Sequence, residues 1–488
     1  MLIEFQVGNF LSFKDIVTFS MVASDINSQD TELDENNVFS VNQELKLLKT
    51  TAIYGANASG KSNLAKAFSF MRNFVINSSK EMQITDFINV EHFRLSTETE
   101  NKPSFFQTTF YLNKKTYKYG FKVSQDKVVE EWLFFQSKIK EYQLFQRNGN
   151  KFKISKKSFQ EGFNLEEKTK HNSLFISVVA QFNGNISAEI IKWFDRSQVI
   201  SGSGTHDNLY KEFTLKSFES PLIKKDSINL IKDLDLSIQD IDITKEKLSL
   251  ENLPSSIPDE LKTMILRSSS GEFSSIQTSH EKYNENGEII GFEKFDLEKN
   301  ESEGTKKLFY FSALLLTALR YNQVLIIDEL DARLHPIITH KIIELFNSKK
   351  YNQKSAQLVF MTHDTNLLNP NLFGSRLLRR DQIWFTEKNQ QGATDLYSLA
   401  EYDDIAEDDP KESNAINFAK KLWPSHCNLY GIDDSDPNNL TVEQRIIIHN
   451  INPSTTVYQL VEKLNEVIFP KPPTELNFVN PDSDKMIY

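Results

Sequence analysis

The run Gly55-Ala56-Asn57-Ala58-Ser59-Gly60-Lys61-Ser62 matches G-x-x-x-x-G-K-[ST] without a mismatch. Residues of these types at this spacing form a phosphate cradle. The glycines let the backbone curl so that its N–H groups face an anion, the lysine reaches the β/γ oxygens, and the serine hydroxyl can ligate Mg²⁺. The context is the required one. The apolar stretch "LLKTTAIYG" precedes the loop as a strand, and a helical run opens at Asn63. Such a site needs a further carboxylate for the metal, and "VLIIDE" supplies it far downstream. Asp328, at the end of a buried strand, can hold Mg²⁺ through water, and Glu329 is then placed to orient and deprotonate an attacking water. The long separation between the two motifs excludes small-GTPase-like and kinase-like layouts.

These residues must be carried by a frame of alternating elements. Leu2, Phe5 and Val7, then Ile16, Val17 and Phe19, alternate with polar residues and predict a hairpin. The acidic "SDINSQDTELDENN" reads as a loop. Aromatic-rich runs between Phe105 and Phe135 predict antiparallel strands with turns such as "LNKKT". "SLFISVVAQF" and "AEIIKWF" predict helices, and "INLIKDLDLSIQDIDI" passes from helix into strand. From about residue 300 the order is helix ("KLFYFSALLLTALRY"), strand ("QVLIID"), helix and strand ("AQLVFMT"). No sustained heptads and no internal repeat mark the middle, which therefore reads as a globular insert. "VEQRIIIHNI" and "VYQLVEKLNEVI" predict two late helices, the second with an apolar stripe that includes Val457, Leu460, Val461, Leu464, Val467 and Ile468. A proline-rich tail follows.

Bulk properties set limits. With 488 residues and 39% hydrophobic content the chain is too long for one compact core and too apolar for a disordered one. No apolar run approaches the roughly 20 residues that span a bilayer. The start "MLIEFQVGNFLSF" lacks the layout of a signal peptide, and Cys427 is the only cysteine, which excludes an internal disulfide framework and a cysteine-built zinc site. A cytoplasmic location is the expectation. A net charge of −11 argues against a protein coated by nucleic acid, though not against a local basic groove. "KFKISKK" and "RLLRR" read as solvated faces. "DDSD" at Asp433 and "DSD" at Asp482 read as acidic turns rather than as a nuclease centre, because neither follows an apolar strand.

Two further pieces fit the same order: "ESEGTKKLF" before "VLIIDE", and "FMTHD" after it. The whole series resembles the ATP-binding-cassette ATPases, in particular the soluble branch with RecF, SMC and OLD-type proteins. With "VGNFLSFKD", "EWLFF", "NSLFISVVAQFN", "DELDARLHP" and "RRDQIWFTEKN…GATDLYSL" it is most similar to the RloA/AbiL-type ATP-binding proteins of bacterial anti-phage defence, from residue 1 to about 400. The signature is "ESEGT" rather than LSGGQ, and Leu11 stands where relatives carry a basic residue. The resemblance implies an α/β fold: a P-loop head with a mixed sheet, flanking helices and an antiparallel β-lobe. Residues 1–140 and 296–402 would form that head around a mixed insert at 141–295, with a mainly helical appendage at 403–488.

It also implies roles. Lys61, Glu329 and His363 would be the catalytic set, His363 being the switch histidine at the γ-phosphate. Ser302, Gly304 and Thr305 of the signature would cap the nucleotide of another subunit at a helix start. Asp331 would cross the dimer interface. Gln107 reads either as a metal-sensing glutamine beside Ser62 and Asp328 or as an outward strand residue. The cofactors are ATP and Mg²⁺. The first reading it implies is an ATP-hydrolysing sensor or regulator of anti-phage defence; the implied partners are a second copy of the chain, with room for a higher oligomer, and a separate effector, expected to be a nuclease. The alternative reading is a RecF-like repair ATPase that clamps DNA.

Overall fold

The structure is a computed structural model that describes residues 1–26, 30–137, 140–234, 238–247, 272–369 and 373–402. One compact unit comprises Met1–Leu367 with Leu377–Ala400. The other, Leu368–Arg376 with Glu401–Tyr488, falls mostly outside the described residues, as do the two late helices and the proline-rich tail expected there.

An antiparallel sheet of seven strands takes the aromatic-rich sequence. Its order is Lys151–Ile154, Lys140–Asn148, Val128–Ser137, Lys115–Val123, Ser104–Leu112, Leu2–Gly8 and Val17–Ser20. Strand Ser104–Leu112 alternates buried and half-buried side chains, as a sheet with one face on a core requires. The "LNKKT" turn is tight because Asn113 and Lys114 both adopt left-handed φ, 49° and 63°, which matches the twist of the strands they join. The sheet does not stop near residue 140. Its last two strands carry it to Ile154, within the stretch read as an insert.

A second sheet of six strands positions the chemistry. Its order is Gln198–Ser201, Val324–Asp328, Gln357–Met361, Thr50–Gly55, Ile383–Lys388 and Thr394–Ser398. The first five are parallel and the last is antiparallel. All side chains of Gln357–Met361 are buried, which explains the unbroken apolar run from Leu358 to Met361. The edge strand Gln198–Ser201 comes from the middle region, so that region contributes to the head.

Helix Lys61–Asn77 buries Leu64, Ala65, Phe68, Met71 and Val75 in the same apolar core as residues of both sheets. Phe68 meets Phe5 edge-on at 5.2 Å, and Phe74 meets Phe121 at 5.5 Å. The helix is thus anchored along its length while its start is left to the loop. Helix Glu303–Tyr321 is buried on most sides, and helix Pro336–Asn347 follows the acidic strand. A separate three-stranded antiparallel sheet, Ile238–Lys247, Glu272–Tyr283 and Ile289–Asp296, leads into the signature segment.

Candidate nucleotide site

In open parallel sheets ligands bind beyond the carboxyl ends of the strands. Gly55, Asp328 and Ser201 end three of these strands, and His363 lies just past a fourth. The phosphate loop has the backbone its glycines predict. Gly60 has φ +116°, and a Cβ there would strike the Thr394 side chain. A Cβ on Gly55 would lie 2.5 Å from Ser59 Oγ and from the Thr386 carbonyl. Behind the loop stands a set of hydroxyls. Thr386 Oγ1 and Ser59 Oγ are 2.7 Å apart, and Thr394 Oγ1 donates to the Ser59 carbonyl at 2.8 Å. Ser12 Oγ accepts from Asn63 Nδ2 at 2.7 Å, and the Ser12 carbonyl accepts from Thr394 N–H at 2.7 Å. Gly60 caps helix Lys61–Asn77 without any side-chain hydrogen bond, so the helix start keeps its positive end for an anion.

Lys61 is buried and folds back, donating to the carbonyls of Gly55 at 2.6 Å and Ala56 at 3.0 Å. Burial lowers its pKa to about 8, against the pull of Asp328, Asp331 and Glu329. Ser62 Oγ donates to Asp328 Oδ1 at 3.1 Å. The two motifs, distant in sequence, therefore meet at hydrogen-bond distance. Among the described residues no cluster of three or more His, Cys, Asp or Glu side chains is set to hold a metal. The Ser62 and Asp328 oxygens suit Mg²⁺, which takes few protein ligands and fills its octahedron with water and substrate phosphates.

Beyond Asp328 the chain turns sharply. Glu329 sits at φ 56° and Arg333 at φ 63°. Leu330 N–H donates to the Met361 carbonyl at 3.1 Å, which ties this acidic loop to the neighbouring strand. Asp331 Oδ2 accepts from His363 N–H at 3.4 Å, while its Oδ1 is buried without a partner among the described residues. Burial, then the nearby Lys61 charge, lowers the His363 pKa below the ordinary histidine value. The ring is therefore neutral at neutral pH, with a nitrogen able to donate to an oxygen anion.

Ser302 caps helix Glu303–Tyr321, its hydroxyl accepting from Thr305 N–H at 3.1 Å. A Cβ on Gly304 would lie 3.0 Å from the Arg333 carbonyl. The signature segment thus borders the acidic loop of its own chain. Gln107 lies elsewhere, opposite Gln6 in the antiparallel sheet; it donates to Gln6 Oε1 at 2.8 Å and accepts from Trp132 Nε1 at 2.9 Å. This is the strand reading of that residue, with both amide ends engaged.

Several residues at the site were given no role by the sequence, although Arg333 and Lys307 lie within "DELDARLHP" and "ESEGTKKLF". Arg333 grips Asp207 with two hydrogen bonds of 2.8 and 3.0 Å, Gly202 N–H donates to the Asp328 carbonyl at 2.6 Å, and Lys307 reaches the acidic loop. The glycine- and serine-rich "SGSGTHD" after Gln198–Ser201 was the one visible hint of a second loop at this edge.

A family model described as "AAA domain, putative AbiEii toxin, Type IV TA system" matches residues 50–369, well over half of the chain. No curated protein matches significantly. Among solved structures, the recombination mediator RecF bound to ATPrS aligns at 13% identity and a TM-score of 0.33, covering 81% of this chain and 98% of that one. The same protein bound to ATP aligns at 14% identity and a TM-score of 0.33, covering 81% and 97%. Superposition this loose carries no argument. Among the described residues no helix is long and apolar enough to cross a membrane.

Proposed function

The chain belongs to that AAA-domain family, and from this premise we propose that it binds and hydrolyses ATP, with the phosphates in the Gly55–Ser62 loop. The observation that carries the proposal is the meeting of Ser62 Oγ with Asp328 Oδ1 at 3.1 Å, beside a buried Lys61 and a helix start that no side chain caps. Lys61 would exchange the Gly55 and Ala56 carbonyls for β/γ oxygens. Ser62 and Asp328 would hold Mg²⁺, which neutralises phosphate charge when bound. Glu329 would orient the attacking water and take its proton, and neutral His363 would donate a hydrogen bond to the γ-phosphate.

Ser302, Gly304 and Thr305 would face the nucleotide of a second copy, making ATP the glue of a dimer. The Glu329→Gln chain tests both parts. It should retain ATP, turn it over about 10²–10⁴-fold more slowly, and scatter light as a dimer when loaded. Hydrolysis at the parent rate would remove Glu329 from its role, and a loaded monomer would remove the shared site.

The wider role we propose is regulation of a separate effector in a defence system, a nuclease being the expected class. The family's description as a toxin–antitoxin component supports this reading. A net charge of −11 gives little support to a DNA clamp. Sequencing the flanking reading frames decides: a nuclease-type neighbour sustains the proposal, and recombination genes would favour repair.

A further inference from the structure

Lys307 lies in helix Glu303–Tyr321 and is fully buried. Its ammonium donates to three backbone carbonyls of the acidic loop: Ala332 at 2.6 Å, Leu330 at 2.9 Å and Glu329 at 3.3 Å. Three donors meet three acceptors, so the group is saturated. The ring of Phe311, one turn on, lies 5.1 Å from the ammonium. Burial, with the Arg333 charge, lowers the Lys307 pKa to about 7, against the pull of Asp331, Asp207 and Glu329.

A buried ammonium is costly unless its surroundings use every proton. A leucine or methionine would fill this place at less cost. What the ammonium supplies is a further hold on a loop whose own turn bonds are few: Ala332 N–H to the Glu329 carbonyl at 3.2 Å and Leu334 N–H to the Asp331 carbonyl at 3.0 Å. Glu329 and Arg333 both adopt left-handed φ, which non-glycine residues rarely keep without outside support. Gly202 packs against the same stretch. A Cβ there would overlap the Glu329 carbonyl and lie 2.8 Å from Lys307 Nζ. Gly202 N–H also holds the Asp328 carbonyl. The carbonyls of Asp328, Glu329, Leu330 and Ala332 are therefore held by two donors from outside the loop.

We infer that Lys307 is a positioning residue for hydrolysis: its buried ammonium fixes the Glu329–Arg333 loop, and so the aim of the Glu329 carboxylate, without touching the nucleotide. The inference rests on the ATPase reading above. Because Lys307 belongs to the helix headed by Ser302, it also ties the signature segment to the acidic loop, so that displacement of one is felt by the other.

Lys307→Met keeps the stem and removes the ammonium. The full chain with this change should bind Mg·ATP within about threefold of the parent. Its kcat should fall about 10–100-fold, the scale on which a misplaced catalytic group acts. Amide hydrogen exchange in residues 329–334 should accelerate without nucleotide. Lys307→Arg should recover part of kcat. An unchanged kcat, or ATP affinity lost in step with kcat, would overturn the inference, as would unchanged amide exchange. If Lys307→Met does not fold, Gly202→Ala serves, since its methyl would press on both the Glu329 carbonyl and Lys307 Nζ and so disturb the same contact without removing the ammonium. A folded Gly202→Ala chain with full kcat would equally overturn the inference. A parent chain without turnover would instead sink the ATPase reading, and the exchange comparison would still decide whether Lys307 holds the loop.

Discussion

Glu131 and Lys61 are both buried charges close to a helix start, and they are treated in opposite ways. Glu131 has a closed set of partners. It accepts from Phe175 N–H at 2.6 Å, Ile176 N–H at 3.0 Å and Tyr119 Oη at 3.0 Å, with the Arg147 guanidinium at 3.7 Å. Arg147 in turn donates to the carbonyls of Ser173 at 2.7 Å and Gly149 at 2.9 Å. The carboxylate so caps helix Phe175–Gln181, which has only Leu174 at its own N-cap. Lys61 is left open. Its partners are two carbonyls of its own loop, and the helix beginning at Lys61 has no side-chain cap. Glu131, with its bonds met inside the fold and a helix to cap, reads as a structural charge. Lys61, bent back on its own loop beside an uncapped helix, is on the proposed reading kept for an anion.

The comparison breaks most readily at Glu131. Glu131→Ala leaves Arg147 buried beside a void and a helix without its cap. Removing one partner of a buried pair costs about 3–5 kcal/mol, read as a lower midpoint in denaturant, and the folded fraction should keep the parent affinity for ATP. A loss of ATP affinity with unchanged stability would reverse the roles assigned here.

A smaller effect sharpens the Lys61 side. Its folded pKa of about 8 lies below the ordinary lysine value of 10.5. Across that window the unfolded chain binds more protons, so this lysine's contribution to stability rises with pH. Below about 8 the penalty for burying the ammonium is fully present. ATP needs the charged form. Affinity should therefore be level below about pH 8 and fall by up to about tenfold per unit above it, with proton uptake on binding. Calorimetry in two buffers of different ionisation enthalpy measures that uptake, and its absence near pH 9 would show that Lys61 keeps its proton in the empty site.

What the sequence made legible was local or periodic. The phosphate loop announces itself because its glycines and lysine are neighbours. Asp328 and Glu329 stand out because an apolar run precedes them, and the strands from Ser104 onward alternate visibly. The rest is made by contacts between distant residues. Thr394 and Ser12 brace the loop from distant parts of the chain; both stretches figure in the resemblance, but nothing in either tells that they meet. Strand Gln198–Ser201 is four residues long, too short for periodicity, yet it forms one edge of the parallel sheet. Lys307 follows Lys306, and a lysine pair at a helix start reads as two solvated side chains. One does bind the outward Glu303, while the other turns inward. Gln107 is a residue for which the sequence left two readings open; in the sheet its amide is held by Gln6 and Trp132.

The central claim is that Lys61 is held in the fold for a nucleotide and not for stability. Titration of Mg·ATP into the parent and Lys61→Met chains, with denaturant unfolding of each, tests it directly. A hydrogen bond to a charged group contributes about 1.5–3 kcal/mol, so the variant should lose at least about tenfold in affinity. Its unfolding free energy should be unchanged or higher, because a buried ammonium has been replaced by an apolar stem. Equal affinity in the two chains, or a variant that binds ATP normally but unfolds early, would contradict the account.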